Sequence, residues 1–198
     1  KSDGTVVGTK MIKDIYPGGT FDYYGYTPNS SSPAELTNLN GTPYFAATSE
    51  GIGRELWTSD GTAAGTVLLK DIDPRIDPYD PYAVFSSNPA ALNVTNGVLH
   101  FLAREEAGMR YYSSDGTTEG TQGEPGVIPD LTSMGATKRV DDKLYFVGST
   151  GFVANELWIS NGTAAGTKLL KDIRPGSNYS TRIAQSDCGR GRVVFYSR

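Results

Sequence analysis

The chain has 198 residues, a formal net charge of −4 and a single cysteine, Cys188, which cannot form an internal disulfide. The acidic balance argues against nucleic acid or an anionic membrane surface as the partner, and no stretch reaches the ~20 apolar residues of a membrane-spanning helix. With 24 glycines, 11 prolines and 12 tyrosines, the composition is typical of a turn-rich, all-β protein.

One phrase of the sequence occurs almost four times. Residues 55–72 read ELWTSDGTAAGTVLLKDI, and residues 156–173 read ELWISNGTAAGTKLLKDI. The chain opens on the end of the same phrase, KSDGTVVGTKMIKDI at residues 1–15, and a divergent copy, RYYSSDGTTEGT, occupies residues 110–121. A phrase that recurs roughly every 50 residues indicates an array of one supersecondary unit.

The first complete unit, residues 33–72, predicts four short strands. The first strand ends at Leu36, the second carries Tyr44 and Phe45, the third runs from Glu55 to Trp57, and the fourth starts at Val67. Asn-Gly between the first two strands is the strongest short hairpin signal. Four strands per unit are typical of a propeller blade.

The remaining units follow in chain order and predict one domain over residues 1–198. We expect an all-β, four-bladed β-propeller with blades at about 33–72, 89–128, 136–173, and 181–198 plus 1–15. In this scheme residues 5–15 are the outer strand that closes the last blade. No segment of the sequence corresponds to the third of the four strands expected in that blade. Either the blade has only three strands, or the sequence is incomplete, or the array continues.

The phrase resembles the ELWxxDGT repeat family, and the likeness covers nearly the whole chain. The resemblance implies a β-propeller-like repeat found mostly in extracellular or surface proteins, with no settled activity, cofactor or substrate. The chain departs from the pattern where Arg110, Tyr111 and Tyr112 replace Glu-Leu-Trp, and where QGEPGVIPDL follows the second unit's turn.

Residues that recur in the phrase are predicted to hold the unit together. Trp57 and Trp158 should fill the space between neighbouring blades, with Tyr112 as the substitute in the middle copy. Asp60 and its counterpart Asn161 should accept backbone N–H bonds across a tight turn, where glycine supplies positive φ.

Two insertions differ between units and are the better candidates for function. Residues 16–32 and 73–87 should emerge on one face and bring together five tyrosines, which stack well on sugar or peptide surfaces. The alternative is that these rings pack on one another and cap the ring of blades. The five are Tyr23, Tyr24, Tyr26, Tyr79 and Tyr82.

The same insertions offer a candidate calcium site from Asp73, Asp77 and Asp80. Calcium takes six to eight oxygen ligands, but the spacing fits no EF-hand because the glycine and terminal glutamate are absent. No other cofactor is expected, since the sequence has one histidine and no histidine or cysteine cluster.

The leading functional hypothesis is a secreted, non-enzymatic binding module whose partner is a glycan or an extracellular protein. Sequons at Asn29, Asn93 and Asn178 favour secretion. The second hypothesis is a structural or assembly subunit that forms homo-oligomers and completes its short blade with a neighbour's strand. The third is a glycosidase-like hydrolase that uses loop carboxylates such as Glu50, Glu105 and Glu106.

Overall fold

A computed structural model describes most of the chain. It covers residues 1–106, 108–124, 133–140, 143–150, 155–161, 166–172, 183–189 and 192–197. Side chains are described for these residues except 81–82, 133–140, 183–189 and 192–197.

Three four-stranded antiparallel sheets dominate the all-β fold, and the strands of each follow one another in chain order. The first sheet contains β3 (Ala34–Leu39), β4 (Thr42–Ser49), β5 (Gly53–Thr58) and β6 (Val67–Lys70). The second contains β9 (Ala90–Thr95), β10 (Val98–Glu105), β11 (Gly108–Ser114) and β12 (Gln122–Gly123). The third contains β13 (Ser133–Val140), β14 (Lys143–Ser149), β15 (Glu156–Ser160) and β16 (Lys168–Lys171).

Three two-stranded hairpins complete the described architecture. They pair β1 (Gly19–Asp22) with β2 (Gly25–Pro28), β7 (Ile76–Asp77) with β8 (Asp80–Val84), and β17 (Ile183–Gly189) with β18 (Arg192–Ser197). The all-β prediction is therefore confirmed. The described strands form separate sheets, and no closed propeller ring is described among them, so the ring stays a prediction.

Local turn chemistry explains why the predicted hairpins form. Asn40 and Gly41 have φ of 52° and 91°, and Asn96 and Gly97 have φ of 54° and 75°. Positive φ at both central residues is the type I′ turn, whose twist matches that of the flanking strands. The sequence also favours a turn at Asp141-Asp142 between β13 and β14, and these two residues lie outside the described part of the chain.

The core lies between successive sheets. The apolar cluster between the first two sheets includes Leu56 and Tyr112, and the cluster between the second and third includes Tyr111 and Trp158. Side chains alternate along each strand, so one face of a sheet packs against the next sheet while the other packs against the preceding one. The predicted burial of Tyr112 and Trp158 between sheets is observed.

Trp57 occupies the equivalent position in the first sheet, but no sheet is described opposite it. It clusters with Phe45 and Ala47, and Ile15 and Leu68 pack against this cluster. Trp57 is thus buried, but by a segment of the N-terminal region instead of a neighbouring sheet.

The predicted strand at residues 5–15 is absent, because this segment forms no ladder with another strand. In the first and third sheets the outer strand pairs with a third strand of the Glu-Leu-Trp type. No described strand of this type remains to pair with the N-terminal segment, since β5 and β15 each lie inside their own sheet. Within the segment, the backbone of Lys10 is hydrogen-bonded to Lys1, and Ile15 packs, partly buried, against the first sheet.

The turn of the repeated phrase has the same hydrogen bonds in the copies at Asp3, Asp60 and Asp115. In the first sheet, Oδ1 of Asp60 accepts bonds from the N–H and the hydroxyl of Thr62, at 2.8 and 2.7 Å. The Thr62 hydroxyl accepts the Gly65 N–H at 2.9 Å, and the Ser59 and Thr66 hydroxyls bond each other at 2.7 Å. Asp3 and Asp115 make the corresponding bonds.

The second glycine of the phrase is required because the aspartate side chain occupies the space that a Cβ would need. A Cβ at Gly65 would lie 2.1 Å from the Asp60 carboxylate, and Gly8, Gly120 and Gly166 meet their own Asp or Asn as closely. The hydroxyl and N–H of Thr62 also lower the pKa of Asp60. The turn is therefore held by one carboxylate that fills the space of a missing side chain.

Replacing Gly65 with alanine should lower the free energy of unfolding, because the added methyl displaces the Asp60 carboxylate from its hydrogen bonds to Thr62. Urea denaturation of the variant measures the change. A double-mutant cycle supplies the control: with Asp60→Ala already present, Gly65→Ala should become neutral or slightly stabilising. Additive losses in the double variant would contradict the steric explanation.

Candidate functional site

The first hairpin carries an exposed aromatic surface. Its tip is the turn from Asp22 to Gly25, in which Oδ1 of Asp22 accepts the Tyr24 N–H at 2.8 Å. Tyr23 and Tyr24 are 96% and 93% exposed, and their rings meet edge to face at 5.4 Å. Two large amphipathic rings therefore project into solvent from a turn fixed by a side-chain hydrogen bond.

A second aromatic pair crosses the stem of the same hairpin. Phe21 and Tyr26 face each other in register, and their ring centroids lie 4.9 Å apart. Both rings are exposed, which is unusual for side chains of this size. Tip and stem together form a four-ring surface, which we call the aromatic hairpin: Phe21, Tyr23, Tyr24 and Tyr26.

The second hairpin repeats the construction of the first tip. Asp77 and Asp80 pair across a two-residue turn, and Oδ1 of Asp77 accepts the Tyr79 N–H at 2.8 Å. Tyr79 is 96% exposed. In both hairpins, then, an aspartate fixes the turn and the residue two positions later is a tyrosine in solvent.

The base of the second hairpin is anchored by an ion pair whose carboxylate is buried. Nε and Nη2 of Arg75 donate to the two carboxylate oxygens of Asp73 at 2.6 and 2.7 Å, and Asp73 is buried. The Arg75 guanidinium also lies over the Phe85 ring at 4.6 Å. This bidentate pair raises the pKa of Arg75, and it fixes the direction in which the hairpin leaves the first sheet.

The structure places the predicted site residues in two groups. Tyr23, Tyr24 and Tyr26 share one hairpin, whereas Tyr79 lies on the other, and no ring contact joins the two hairpins among the described residues. The side chain of Tyr82 is outside the described part. Tyr23, Tyr24 and Tyr79 are more than nine-tenths exposed, so these three rings do not cap the molecule, whereas Tyr26 is 50% exposed and packs on Phe21.

The three aspartates of the calcium hypothesis have different surroundings. Both oxygens of Asp73 are engaged by Arg75, and Asp77 holds the turn of the second hairpin. Among the described residues, no group of three or more acidic, histidine or cysteine side chains has the arrangement of a metal site. The calcium site remains a hypothesis from the sequence alone.

The sequons also differ in their surroundings. Asn29 is half-buried and its side-chain amide donates to the Pro17 carbonyl at 3.1 Å. Asn93 is buried within β9, and its amide donates to the Ala91 carbonyl at 3.1 Å. A glycan on Asn93 does not fit this conformation. Asn178 lies outside the described residues.

The first glutamate of the phrase forms a buried site that sequence reasoning missed. The Glu55 carboxylate is fully buried and accepts the Ile72 N–H at 2.9 Å, the Ser87 N–H at 2.6 Å and the Ser87 hydroxyl at 2.5 Å. Burial raises the pKa of Glu55 despite these bonds. The carboxylate joins the end of the outer strand to the segment that enters the next sheet. The only available signal was the recurrence of the glutamate in ELW.

The divergent copy replaces this carboxylate with a cation. Arg110 stands at the position of Glu55 and contacts the Glu105 carboxylate at 3.2 Å, and Glu105 also accepts the Tyr112 hydroxyl. Burial and the neighbouring Glu105 raise the pKa of Tyr112. Glu105, one of the loop carboxylates of the hydrolase hypothesis, is thus tied to two side chains of its own sheet.

Comparisons with protein-family models, curated proteins and solved structures find no match to this chain. In the part of the chain that is described, no helix is long and apolar enough to cross a membrane. Function must therefore be argued from the geometry of the two hairpins.

Proposed function

We propose that this chain is an extracellular, non-enzymatic binding module that presents its two hairpins to a glycan. The observation that carries the proposal is the pair of turns in which an aspartate fixes a fully exposed tyrosine, Tyr24 on one hairpin and Tyr79 on the other. Tyrosine offers a rigid apolar face and a hydroxyl at low entropic cost. Carboxylates beside such a ring can accept hydrogen bonds from sugar hydroxyls.

The proposal includes the architecture that carries the hairpins. We propose that the sheets are blades of a four-bladed β-propeller, with β17 and β18 in the last blade. Its support is that the first sheet packs on the second and the second on the third, with equivalent residues in the two interfaces. The extracellular location is proposed because the phrase resembles surface repeat proteins. Non-enzymatic action is proposed because the Glu105 and Asp73 carboxylates are engaged in ion pairs.

A glycan array probed with the purified chain tests the function, followed by titration calorimetry on the best ligand. Tyr24→Ala and Tyr79→Ala should each weaken binding about 3- to 10-fold, since an aromatic stacking contact is worth about 0.5–1.5 kcal/mol. Tyr24→Phe is the matched control, because it keeps the stacking ring and removes only the hydroxyl. An array without a ligand, or binding that both alanine variants leave unchanged, would overturn the proposal.

A further inference from the structure

The two hairpins leave the molecule at the same end of successive sheets. The segment that follows the first hairpin is bonded to β4, where the Ser31 carbonyl accepts the Thr48 N–H at 2.9 Å. The segment that follows the second hairpin is bonded to β10, where the Ser87 carbonyl accepts the Arg104 N–H at 2.7 Å. Thr48 and Arg104 are equivalent positions, because each lies three residues after the phenylalanine of its strand. Since packed sheets lie about 10 Å apart, the roots of the two hairpins are neighbours.

One residue at the start of β5 bonds to both of these roots. Nη1 of Arg54 donates to the Ser32 carbonyl at 2.7 Å, just after the first hairpin. The Arg54 N–H donates to the Ser86 hydroxyl at 2.9 Å, and the Arg54 carbonyl accepts the Asn88 N–H at 3.1 Å, just after the second hairpin. Arg54 therefore restricts the positions of the two hairpins relative to each other.

The second hairpin stays exposed although it leaves the chain between two complete sheets. The first and second sheets pack on each other, and Tyr79 is nevertheless 96% exposed. Its turn is fixed by the Asp77 carboxylate, as the turn of the first hairpin is fixed by Asp22. Both tips are thus ordered in solvent before a ligand binds, which lowers the entropic cost of binding.

The hairpins carry negative charge and no cation. Asp22 is the one charged residue of residues 19–28, and Asp77 and Asp80 are the charged residues of 76–84. Arg75, at the base of the second hairpin, is already paired with the buried Asp73. The surface disfavours a ligand with acidic groups, because like charges repel across an interface. Its carboxylates and tyrosine hydroxyls instead suit a ligand that is rich in hydroxyl groups.

We propose, on the basis of the glycan-binding function proposed above, that the two hairpins form one site for an extended, neutral β-1,4-linked oligosaccharide. No ring contact between the two hairpins is described, and a single sugar is similar in size to one tyrosine ring. Only a chain of sugars can therefore reach Tyr24 and Tyr79 together. The ring substituents of β-1,4-linked glucose are equatorial, so each sugar offers a flat C–H face to a tyrosine and hydroxyls to an aspartate.

Titration calorimetry of the intact chain with cellobiose and with cellohexaose tests the spanning site. We expect one cellohexaose per chain, bound at least about tenfold more tightly than cellobiose, because the second contact becomes intramolecular. Tyr24→Ala and Tyr79→Ala should each bring the affinity for cellohexaose close to that for cellobiose.

Two results would overturn the spanning site. Two cellohexaose molecules per chain, one of which is lost in each alanine variant, would show two separate sites and would leave the proposed glycan-binding function standing. Absence of cellohexaose binding also overturns the spanning site, and the proposed function falls with it only if the glycan array finds no ligand at all.

The charge of the ligand is tested with a matched pair of hexamers. A hexamer of β-1,4-linked glucuronic acid has the same backbone as cellohexaose and a carboxylate on each sugar. It should bind at least about tenfold more weakly at low ionic strength, where exposed charges are least screened, and Asp22→Asn should reduce this difference. Equal or tighter binding of the acidic hexamer would overturn the assignment of a neutral ligand.

Arg54 acts in this site as a positioning residue, and ligand length distinguishes that role from a purely structural one. Arg54→Met removes the donor to Ser32 and keeps the aliphatic stem. The affinity for cellohexaose should fall by about threefold or more, while the affinity for cellobiose stays unchanged. Lys168→Met is the matched control, because it removes an exposed cation from the third sheet. Equal losses for both ligands would contradict a role of Arg54 in holding the two hairpins together.

Discussion

Replacing Trp158 with alanine should lower the free energy of unfolding by about 3–5 kcal/mol. The indole is buried between the second and third sheets and stacks on Phe146, with ring centroids 6.3 Å apart and planes at 16°. Its Nε1–H donates to the Gly148 carbonyl at 3.1 Å. The variant therefore loses apolar contact on both sides and one buried hydrogen bond, which urea denaturation followed by circular dichroism would measure.

Trp57 provides the matched comparison within the same chain. It occupies the same position in the first sheet, but the N-terminal segment alone covers it, and its Nε1 has no hydrogen-bond partner in the described structure. Trp57→Ala should therefore cost less than Trp158→Ala. Changing each tryptophan to phenylalanine should lower the free energy of unfolding more at Trp158 than at Trp57, because only Trp158→Phe leaves a carbonyl without its donor. Equal losses at the two positions would show that the N-terminal segment covers its face as completely as a sheet does.

Replacing Glu55 with alanine should lower the free energy of unfolding by about 3–5 kcal/mol. Each buried donor that loses its acceptor costs about 1–3 kcal/mol, and the Glu55 carboxylate serves three, from Ile72 and Ser87. Chemical denaturation at neutral pH measures this loss. Glu50→Ala is a suitable control because Glu50 is an exposed glutamate of the neighbouring β4–β5 turn. A loss no larger than that of the control would mean that the donors find water instead.

The pH dependence of the Glu55 contribution has a defined sign. Burial raises the pKa of this carboxyl above its ordinary value of 4.5, and the nearby Asp71 charge acts in the same direction. The folded state thus binds the proton more tightly than the unfolded state. The associated stability is fully present below pH 4.5 and is lost as the pH rises through the raised pKa. Over this pH range the free energy of unfolding of the wild-type chain should fall relative to that of Glu55→Gln. A difference between the two proteins that does not change with pH would contradict the raised pKa of Glu55.

Local turn chemistry made much of the strand order predictable from the sequence. Asn40-Gly41 requires positive φ at two successive residues, and the observed angles follow. The Asp-Gly-Thr turn is likewise closed within a few residues, as the bonds of Asp60 to Thr62 illustrate. Interactions of this range depend little on the rest of the fold, so they can be read from a short window.

The features that escaped prediction depend on distant partners. The role of Glu55 depends on Ser87, which lies 32 residues further along the chain, and the position of residues 5–15 depends on a pairing strand that the sequence pattern does not place. Both insertions form hairpins that were not predicted from the sequence. The Asp22 turn offered a usable signal, since aspartate followed by a glycine three residues later is compatible with a side-chain-fixed turn.

The links between neighbouring sheets have a consequence for synthesis. Lys70 reaches the carbonyl of a residue 51 positions later, and the hydroxyl of Thr118 donates to the carbonyl of Leu69, 49 positions before it. A ribosome adds about 5–20 residues per second, so each newly made sheet waits roughly 3–10 s for the next one to cover its apolar face. The nascent chain therefore exposes the apolar face of its newest sheet for one such interval per unit, and exposed apolar surface is prone to aggregation.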